Sequence, residues 1–163
     1  MLAFKEVREQ NIDVLADLAS GIWHEYWVDI LSPEQIDYMI EKFQSSSAIQ
    51  NQVKNENYRY YFITVEGINA GYFGVSFKKD YLFLSKLYIK KDYRHSGIGT
   101  KAFEKIKEIA VQDNYKSIQL TVNKYNKNTI KAYDKWGFKT IDSVVSDIGS
   151  GFVMDDYIMG FSC

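Results

Sequence analysis

Residues 87–100 are the part of the sequence that most restricts the fold. An aromatic and aliphatic run, Leu87 to Ile89, leads into a basic loop with two glycines, and an amphipathic pattern begins at Ile98. This pattern predicts a strand that passes through a tight loop into a helix. Glycines let the backbone approach an anion closely, and the exposed N–H groups of a helix start favour phosphate. The segment is a candidate pyrophosphate site, although an ordinary strand-to-helix turn would also explain the glycines.

Two well-known phosphate motifs do not fit this segment. Residues 97–102 match the dinucleotide pattern Gly-x-Gly-x-x-Gly/Ala, but their glycines follow Ile89 by eight residues, whereas that motif follows its strand directly. The next predicted strand ends at Val122 with no acid beside it to bind a ribose. Residues 99–101, Gly-Thr-Lys, lack the Gly-Lys-Ser/Thr ending of a nucleoside-triphosphate loop. Another phosphate ligand is therefore favoured.

The composition indicates one globular domain covering residues 1–163. A chain of this length buries roughly 68–70% of its unfolded surface. Lys plus Arg number 20 and Asp plus Glu number 21, which excludes a uniformly basic nucleic-acid binder. No stretch approaches the ~20 apolar residues of a membrane span, residues 1–8 lack a signal-peptide pattern, and the single cysteine, Cys163, has no internal partner. We expect a cytoplasmic protein that binds neither nucleic acid nor membrane.

Hydrophobic periodicity predicts a mixed α/β order. The predicted strands are residues 1–7, 58–65, 70–77, 81–89, 117–122, 138–145 and 152–161, and the predicted helices are residues 11–22, 33–43, 98–110 and 126–136. Ser32 followed by Pro33 is a typical helix start, Asn126 is a candidate cap, and Gly137 suits the left-handed end of a helix. The polar segment 45–57 is predicted to be a loop.

Two motifs resemble the GNAT superfamily of acyl-CoA-dependent N-acetyltransferases. Residues 94–99, Arg-His-Ser-Gly-Ile-Gly, are similar to its Arg/Gln-x-x-Gly-x-Gly/Ala motif, and residues 126–138 resemble its Asn…Tyr-x-x-x-Gly-Phe segment. The resemblance covers essentially the whole chain. It implies the α/β (α+β) acyl-CoA N-acyltransferase fold, with a central mixed, mostly antiparallel sheet of about seven strands flanked by four helices. From the amino-terminal helices to residues 155–159, the chain looks most like bacterial spermine/spermidine-type acetyltransferases.

The resemblance implies acetyl-CoA as cofactor and gives roles to the matching positions. The strand residues Leu87, Tyr88 and Ile89 would bind the pantetheine arm, chiefly through backbone groups. The pyrophosphate would be held by backbone N–H groups of the loop and helix start, which are those of Arg94, His95, Ser96, Gly97, Ile98, Gly99 and Thr100.

The second motif implies a catalytic residue, for which side-chain packing is the alternative role. By resemblance, Tyr133 would lie near the thioester sulfur as the general acid, while Asn126 and Asn128 would contact the cofactor arm. The chain has 13 tyrosines, most of which serve packing, and Asn126 can serve only as a helix cap. The position of Tyr133 four residues before Gly137 favours the catalytic interpretation.

Residues 23–29, Trp-His-Glu-Tyr-Trp-Val-Asp, are the candidate acceptor site. Aromatic faces with carboxylates can hold a cationic amine, and residues 1–44 carry nine acids against three bases. The alternative is an amphipathic helix end that packs into the core. The candidate substrate-binding residues are Trp23, Glu25, Tyr26 and Asp29.

The sequence does not identify the general base. Polyamine-type relatives can carry acids on the strand equivalent to residues 81–89, where this chain has Phe83, Leu84 and Ser85. Glu25 and Glu66 are candidates, with ordinary surface carboxylates as the alternative. Two histidines and one cysteine make no convincing zinc site, so no metal is expected.

Three functions stay open at this point. The two motifs favour an enzyme that transfers acetyl from acetyl-CoA to a primary amine in a ternary complex. A small cationic amine or polyamine is the preferred acceptor, with protein N-termini or lysines as alternatives. The second function is a non-catalytic acyl-CoA sensor, and the third is an interaction protein with an aromatic surface. The resemblance is also compatible with a homodimer that forms through the late strands.

Overall fold

A computed structural model describes all 163 residues of the chain. Its strands are β1 Leu2–Glu6, β2 Tyr58–Val65, β3 Ile68–Phe77, β4 Leu82–Ile89, β5 Ser117–Asn123, β6 Lys139–Gly149 and β7 Phe152–Ser162. Its helices are α1 Ile12–Tyr26, α2 Pro33–Gln44, α3 Ser46–Asn55, α4 Ile98–Gln112 and α5 Lys127–Trp136. None of these helices has the length and apolarity that a bilayer crossing requires.

All seven strands form one sheet in the order β1-β2-β3-β4-β5-β7-β6. β4 and β5 run parallel, and every other neighbouring pair is antiparallel. The predicted mixed, mostly antiparallel sheet of seven strands is therefore confirmed. One core lies between the sheet and α4 and α5, and a second lies between the opposite face and α1, α2 and α3.

Of the three helix ends predicted from local sequence signals, two are confirmed and one is wrong. Ser32 Oγ accepts a hydrogen bond from the Gln35 backbone N–H at 3.1 Å, and Pro33 is the first residue of α2. Gly137 ends α5 with a φ of 106°, in the left-handed region predicted for it. The Asn126 side chain does not cap α5: its Oδ1 accepts no N–H of the first turn, and its Nδ2 donates to the Tyr26 hydroxyl.

The prediction of a loop at residues 45–57 is wrong, because this segment contains α3. Ser45 Oγ accepts from the Ala48 backbone N–H at 3.2 Å and so caps the helix. The buried side of α3 consists of Ile49 and Gln52, too few apolar residues to show a helical period in the sequence. Tertiary packing stabilises the helix, so five α-helices accompany the sheet where four were expected.

A chain of hydrogen bonds crosses the second core. Trp23 Nε1 donates to Tyr72 Oη at 2.8 Å, which donates to Gln44 Oε1 at 2.6 Å. Gln44 Nε2 donates to Tyr60 Oη at 3.2 Å, and that hydroxyl donates to Gln52 Oε1 at 2.5 Å. Burial raises the pKa of both tyrosines, so they stay neutral donors. This chain of hydrogen bonds fixes α1, α2 and α3 to the sheet.

We expect Tyr72→Phe to reduce the free energy of unfolding by about 1–3 kcal/mol, because Trp23 N–H and the Gln44 carbonyl would lose their buried partner. Urea denaturation measures this loss. Tyr125→Phe is the matched control: its side chain is 71% exposed, and its loss should stay within about 0.5 kcal/mol. Equal stability of the two variants would contradict the structural role of the hydrogen-bond chain.

Candidate active site

β4 and β5 separate soon after they start. Residues 82–83 pair with residues 118–119, and no pair follows. β4 continues beside β3 to Ile89, while β5 continues beside β7 to Asn123. The edges of β4 and β5 that face each other are therefore unpaired beyond this point, and a cavity of about 260 Å³ opens there.

A β-bulge at Ser85 decides on which face of the sheet the following β4 side chains lie. Gly74 pairs with Lys86 and Val75 with Leu84, so Ser85 has no partner in the register. A bulge adds one residue and reverses the alternation of the faces that follow. As a result, Leu87 lies on the face of the sheet that α4 covers and Lys86 lies on the opposite face, and both line the cavity.

Two of the predicted acceptor residues line the cavity. Trp23 and Tyr26 contribute to its wall, together with Leu87, Tyr88 and the predicted general acid, Tyr133. The rings of Tyr26 and Tyr88 meet edge to face, with centroids 5.2 Å apart, and Tyr88 also packs against Trp23 at 5.4 Å. The side chain of Tyr88 is thus part of an aromatic wall.

The other two acceptor candidates lie outside the cavity. Glu25 Oε1 accepts from the Lys91 backbone N–H at 3.1 Å and from Arg94 Nη2 at 3.4 Å. Arg94 Nε donates to the Ile89 carbonyl at 2.8 Å. Glu25 and Arg94 therefore brace the loop between β4 and α4, and Asp29 is exposed in the turn after α1.

Tyr26 connects α1 to the start of α5. Its hydroxyl lies 2.8 Å from Thr129 Oγ1 and accepts from the Asn126 amide group. Asn126 lines the cavity, and its side-chain oxygen Oδ1 is left without a hydrogen bond within the chain, while its backbone carbonyl accepts from the Ile130 N–H. Asn128 is exposed and makes no side-chain hydrogen bond. Of the two predicted cofactor-arm residues, Asn126 is therefore the one beside the cavity.

The loop before α4 presents a row of free backbone donors. The N–H groups of residues 95–100 donate to no group within the chain, and no side chain caps α4. His95 and Gly97 have positive φ values of 62° and 83°, and the space above Gly97 is open. Consecutive free N–H groups at a helix start form an anion-binding concavity. Residues 95–100 therefore present free donors that suit an anion, whereas the Arg94 N–H, also predicted to hold the pyrophosphate, donates to the Lys91 carbonyl at 3.2 Å.

Tyr133 combines burial with a free hydroxyl. Its ring packs edge to face on Trp136 and Phe138 at 5.5 Å each, and its hydroxyl makes no hydrogen bond within the chain. Burial raises its pKa above the ordinary tyrosine value, with a smaller contribution from Tyr26. At neutral pH the hydroxyl keeps its proton and can donate it toward the cavity.

Asp156 is a carboxylate in the same cavity that sequence reasoning missed. It is 9% exposed, and its Oδ1 atom is buried without a hydrogen-bond partner. Burial, assisted by the neighbouring charge of Asp155, raises its pKa to about 6, while Lys124 opposes this rise. Lys124 Nζ lies 2.8 Å from Asp155 and not beside Asp156. The available sequence signal was an acid inside the aromatic and aliphatic strand 152–161.

Lys86 is the second residue that sequence reasoning missed. Its Nζ donates to Ser85 Oγ at 2.6 Å, and it takes part in none of the salt bridges. Burial lowers its pKa to about 8, an effect that the charge of Glu56 partly opposes. Lys86 is the only charged residue of the predicted strand 81–89, and a lone charge in an apolar strand is the sequence signal that points to a functional role.

Comparison with known families decides the relationship of the chain. Residues 19–138 match the acetyltransferase (GNAT) family. The chain belongs to the GNAT family of acetyltransferases. The resemblance noted in the two sequence motifs is therefore confirmed at the level of the family.

Solved GNAT structures share the fold across the whole chain. One is PaiA N-acetyltransferase from Thermoplasma acidophilum in complex with coenzyme A, with a TM-score of 0.84 at 20% identity over 100% of this chain and 99% of that one. Another is the ribosomal-protein-S18-alanine N-acetyltransferase from Escherichia coli, with a TM-score of 0.72 at 16% identity over 99% of this chain and 94% of that one.

Curated relatives match a shorter part of the chain. Thialysine N-epsilon-acetyltransferase from Bos taurus is 32% identical over 74 residues, which is 45% of this chain and 44% of that protein. The same enzyme from Sus scrofa is 30% identical over 60 residues, 37% of this chain and 35% of that protein. The matched part of this GNAT chain thus covers less than half the length of these relatives. The resemblance to spermine/spermidine-type acetyltransferases stays a prediction.

Proposed function

We propose that the chain transfers an acetyl group from acetyl-CoA to the primary amine of a small molecule, by direct attack in a ternary complex. The observation that carries this proposal is one cavity, at the opening between β4 and β5, that contains both a neutral tyrosine hydroxyl and an unpaired carboxylate. Tyr133 would serve as general acid and Asp156 as general base.

Several parts of the chain would hold acetyl-CoA, which supplies the activated acetyl group. The free N–H groups of residues 95–100 would bind its pyrophosphate. The unpaired edge of β4 around Leu87 and Ile89 would bind the pantetheine arm, and the free side-chain Oδ1 of Asn126 would contact the same arm. Asn128 would reach the arm from the exposed side of α5.

The residues of the cavity suit each proton movement of acetyl transfer. Asp156 would take the proton that an alkylammonium must lose, and its pKa of about 6 leaves it ionised at pH 7. A free β4 N–H would donate to the oxygen on which negative charge develops. As the new C–N bond forms and the C–S bond breaks, Tyr133 would give its proton to the leaving sulfur, and the second proton released by the nitrogen would restore the Tyr133 hydroxyl.

The cavity favours a small acceptor. Its volume of about 260 Å³ lies just below the lower end, roughly 300 Å³, of typical ligand pockets. A polyamine is one acceptor of this class, since aromatic rings of the cavity wall attract cations, although the Arg94 guanidinium already lies 5.3 Å from the centre of the Tyr26 ring. The acids that motivated the polyamine expectation, Glu25 and Asp29, lie outside the cavity, so Asp156 would carry the attraction for the reacting amine.

Release of thiol from acetyl-CoA with a panel of amines, amino acids and short peptides tests the proposal. We expect turnover with a small primary amine, and a mass increase of one acetyl group on that amine. Acetyl-CoA at one hundred times its Kd should stabilise the fold by about 2.7 kcal/mol in a melting experiment. Stabilisation of the fold by acetyl-CoA without turnover on any amine would contradict the proposed enzymatic activity and favour a non-catalytic acyl-CoA sensor.

The homodimer and the cytoplasmic location expected from the sequence stay predictions. β6 is an edge strand of the sheet, where Ile141 and Val145 are exposed. Val153 on the neighbouring β7 is exposed as well. These apolar side chains support the proposal that any subunit contact would form through the late strands.

A further inference from the structure

The cavity wall contains two charged side chains of opposite sign, Lys86 and Asp156, and neither has a charged partner. All the other wall residues are neutral. An unpaired charge in a protected site is costly unless a partner of opposite charge arrives. The wall therefore offers one binding position for a cation and one for an anion.

No acidic side chain forms a salt bridge with Lys86, the positive position of the cavity wall. The Lys86 ammonium uses one of its three donors on Ser85 Oγ. Glu56, the acid that influences its pKa, lies in an adjoining cavity and accepts from Asn51 Nδ2 at 2.9 Å. Lys42, the other cation of that adjoining cavity, donates to the Ile148 carbonyl. Lys86 thus keeps donors for a ligand.

The two charged positions belong to different ends of the cavity. Lys86 also lines the adjoining cavity, so it marks the end where the two spaces meet, whereas Asp156 lines only the first. In the sheet, β5 lies between the strands that carry them. Two spacings of paired strands amount to roughly 10 Å, and the backbones are farther apart than this because β4 and β5 are unpaired at Lys86. An extended ligand with charged groups several bonds apart, such as a diamino acid, suits two positions arranged in this way.

We infer that the preferred acceptor is a zwitterionic amine: Lys86 binds its carboxylate, and Asp156 receives its reacting amine. This inference rests on the proposed function and names the substrate class of that site. It makes a purely cationic polyamine a poorer acceptor, because its second ammonium would meet Lys86. Lysine and cadaverine form the matched test pair, since cadaverine is lysine without the carboxylate.

Steady-state kinetics with this pair test the inference. A charge-assisted hydrogen bond predicts a kcat/KM about ten- to hundredfold higher for lysine than for cadaverine. Lys86→Met should remove this preference mainly through a higher KM for lysine, and Lys86→Arg should retain most of it. Lys54→Met is the control, because Lys54 is an exposed cation of α3 outside the cavity. Equal kcat/KM values in the wild type, or an unchanged preference in Lys86→Met, would overturn the inference.

A binding experiment separates this inference from the proposed function. Calorimetry with coenzyme A present should show Nε-acetyllysine binding at least tenfold more tightly than N-acetylcadaverine, with the difference lost in Lys86→Met. Equal binding of the two products would overturn carboxylate recognition, even if amines are acetylated. Absence of turnover with every amine would refute the proposed function, while the product pair would still decide whether Lys86 binds a carboxylate.

Discussion

Tyr133→Phe is expected to lower kcat about 10²- to 10⁴-fold while acetyl-CoA affinity changes little. The substitution removes only the hydroxyl that would protonate the leaving sulfur. That hydroxyl makes no hydrogen bond within the chain, and the ring contacts with Trp136 and Phe138 would remain. Thiol release at saturating substrates measures kcat, and calorimetry measures the affinity for acetyl-CoA.

Tyr125→Phe is the control for this variant. Tyr125 lies between β5 and α5, close in sequence to Tyr133, but its side chain is exposed and does not line the cavity. It should retain the wild-type kcat. If Tyr133→Phe also retained kcat within about threefold, Tyr133 would be a packing residue and the sulfur would receive its proton from elsewhere.

Asp156→Asn is expected to lower kcat/KM about 10²-fold at pH 7 and to change the pH profile. The pKa of Asp156 is raised to about 6 by burial, so the carboxylate is protonated below that pH and ionised above it. Wild-type kcat/KM should therefore fall about tenfold per pH unit below pH 6 and approach a plateau above it. The variant should lack this acidic limb.

Stability distinguishes a catalytic Asp156 from a structural one. Because its folded pKa lies above its unfolded value, Asp156 favours the folded state most at low pH, and this contribution is lost as the pH rises through about 6. Asp156→Asn should therefore be at least as stable as the wild type at pH 7. A large loss of stability that parallels the loss of activity would contradict the assignment.

Asp155→Asn is a second variant that tests the acidic limb of the pH profile of kcat/KM. The negative charge of Asp155 contributes to the raised pKa of Asp156, so its removal should shift the acidic limb to lower pH while the plateau rate is kept. Asp155 contacts Lys124 and does not line the cavity. A shift of the acidic limb to higher pH in Asp155→Asn would contradict the assignment of this limb to Asp156.

Local sequence signals were sufficient to predict most of the fold. Ser32, Pro33 and Gly137 act on the backbone within a few residues of themselves, and their predicted roles in ending and starting helices are confirmed. The helix α3 was missed because its packed face holds few apolar residues. Its stability comes from contacts with α1, α2 and β2, which no local period reveals.

The candidate site was only partly predictable, because burial and pairing arise from tertiary contacts. Simple alternation along β4 places Lys86 on the same face as Leu82 and Leu84, and the bulge at Ser85 reverses this. Likewise, Glu25 looks like an acceptor residue in the sequence, although its carboxylate contacts Arg94 in the structure. The glycine loop was predictable because its backbone conformation depends on its own residues.

A crystal structure with coenzyme A is the most direct test of whether the opening between β4 and β5 is the site of acetyl transfer. We predict that the pyrophosphate binds the N–H groups of residues 95–100 and that the sulfur lies within hydrogen-bond distance of Tyr133 Oη, in the cavity that contains Asp156. Coenzyme A bound elsewhere, or a sulfur outside this cavity, would contradict the account.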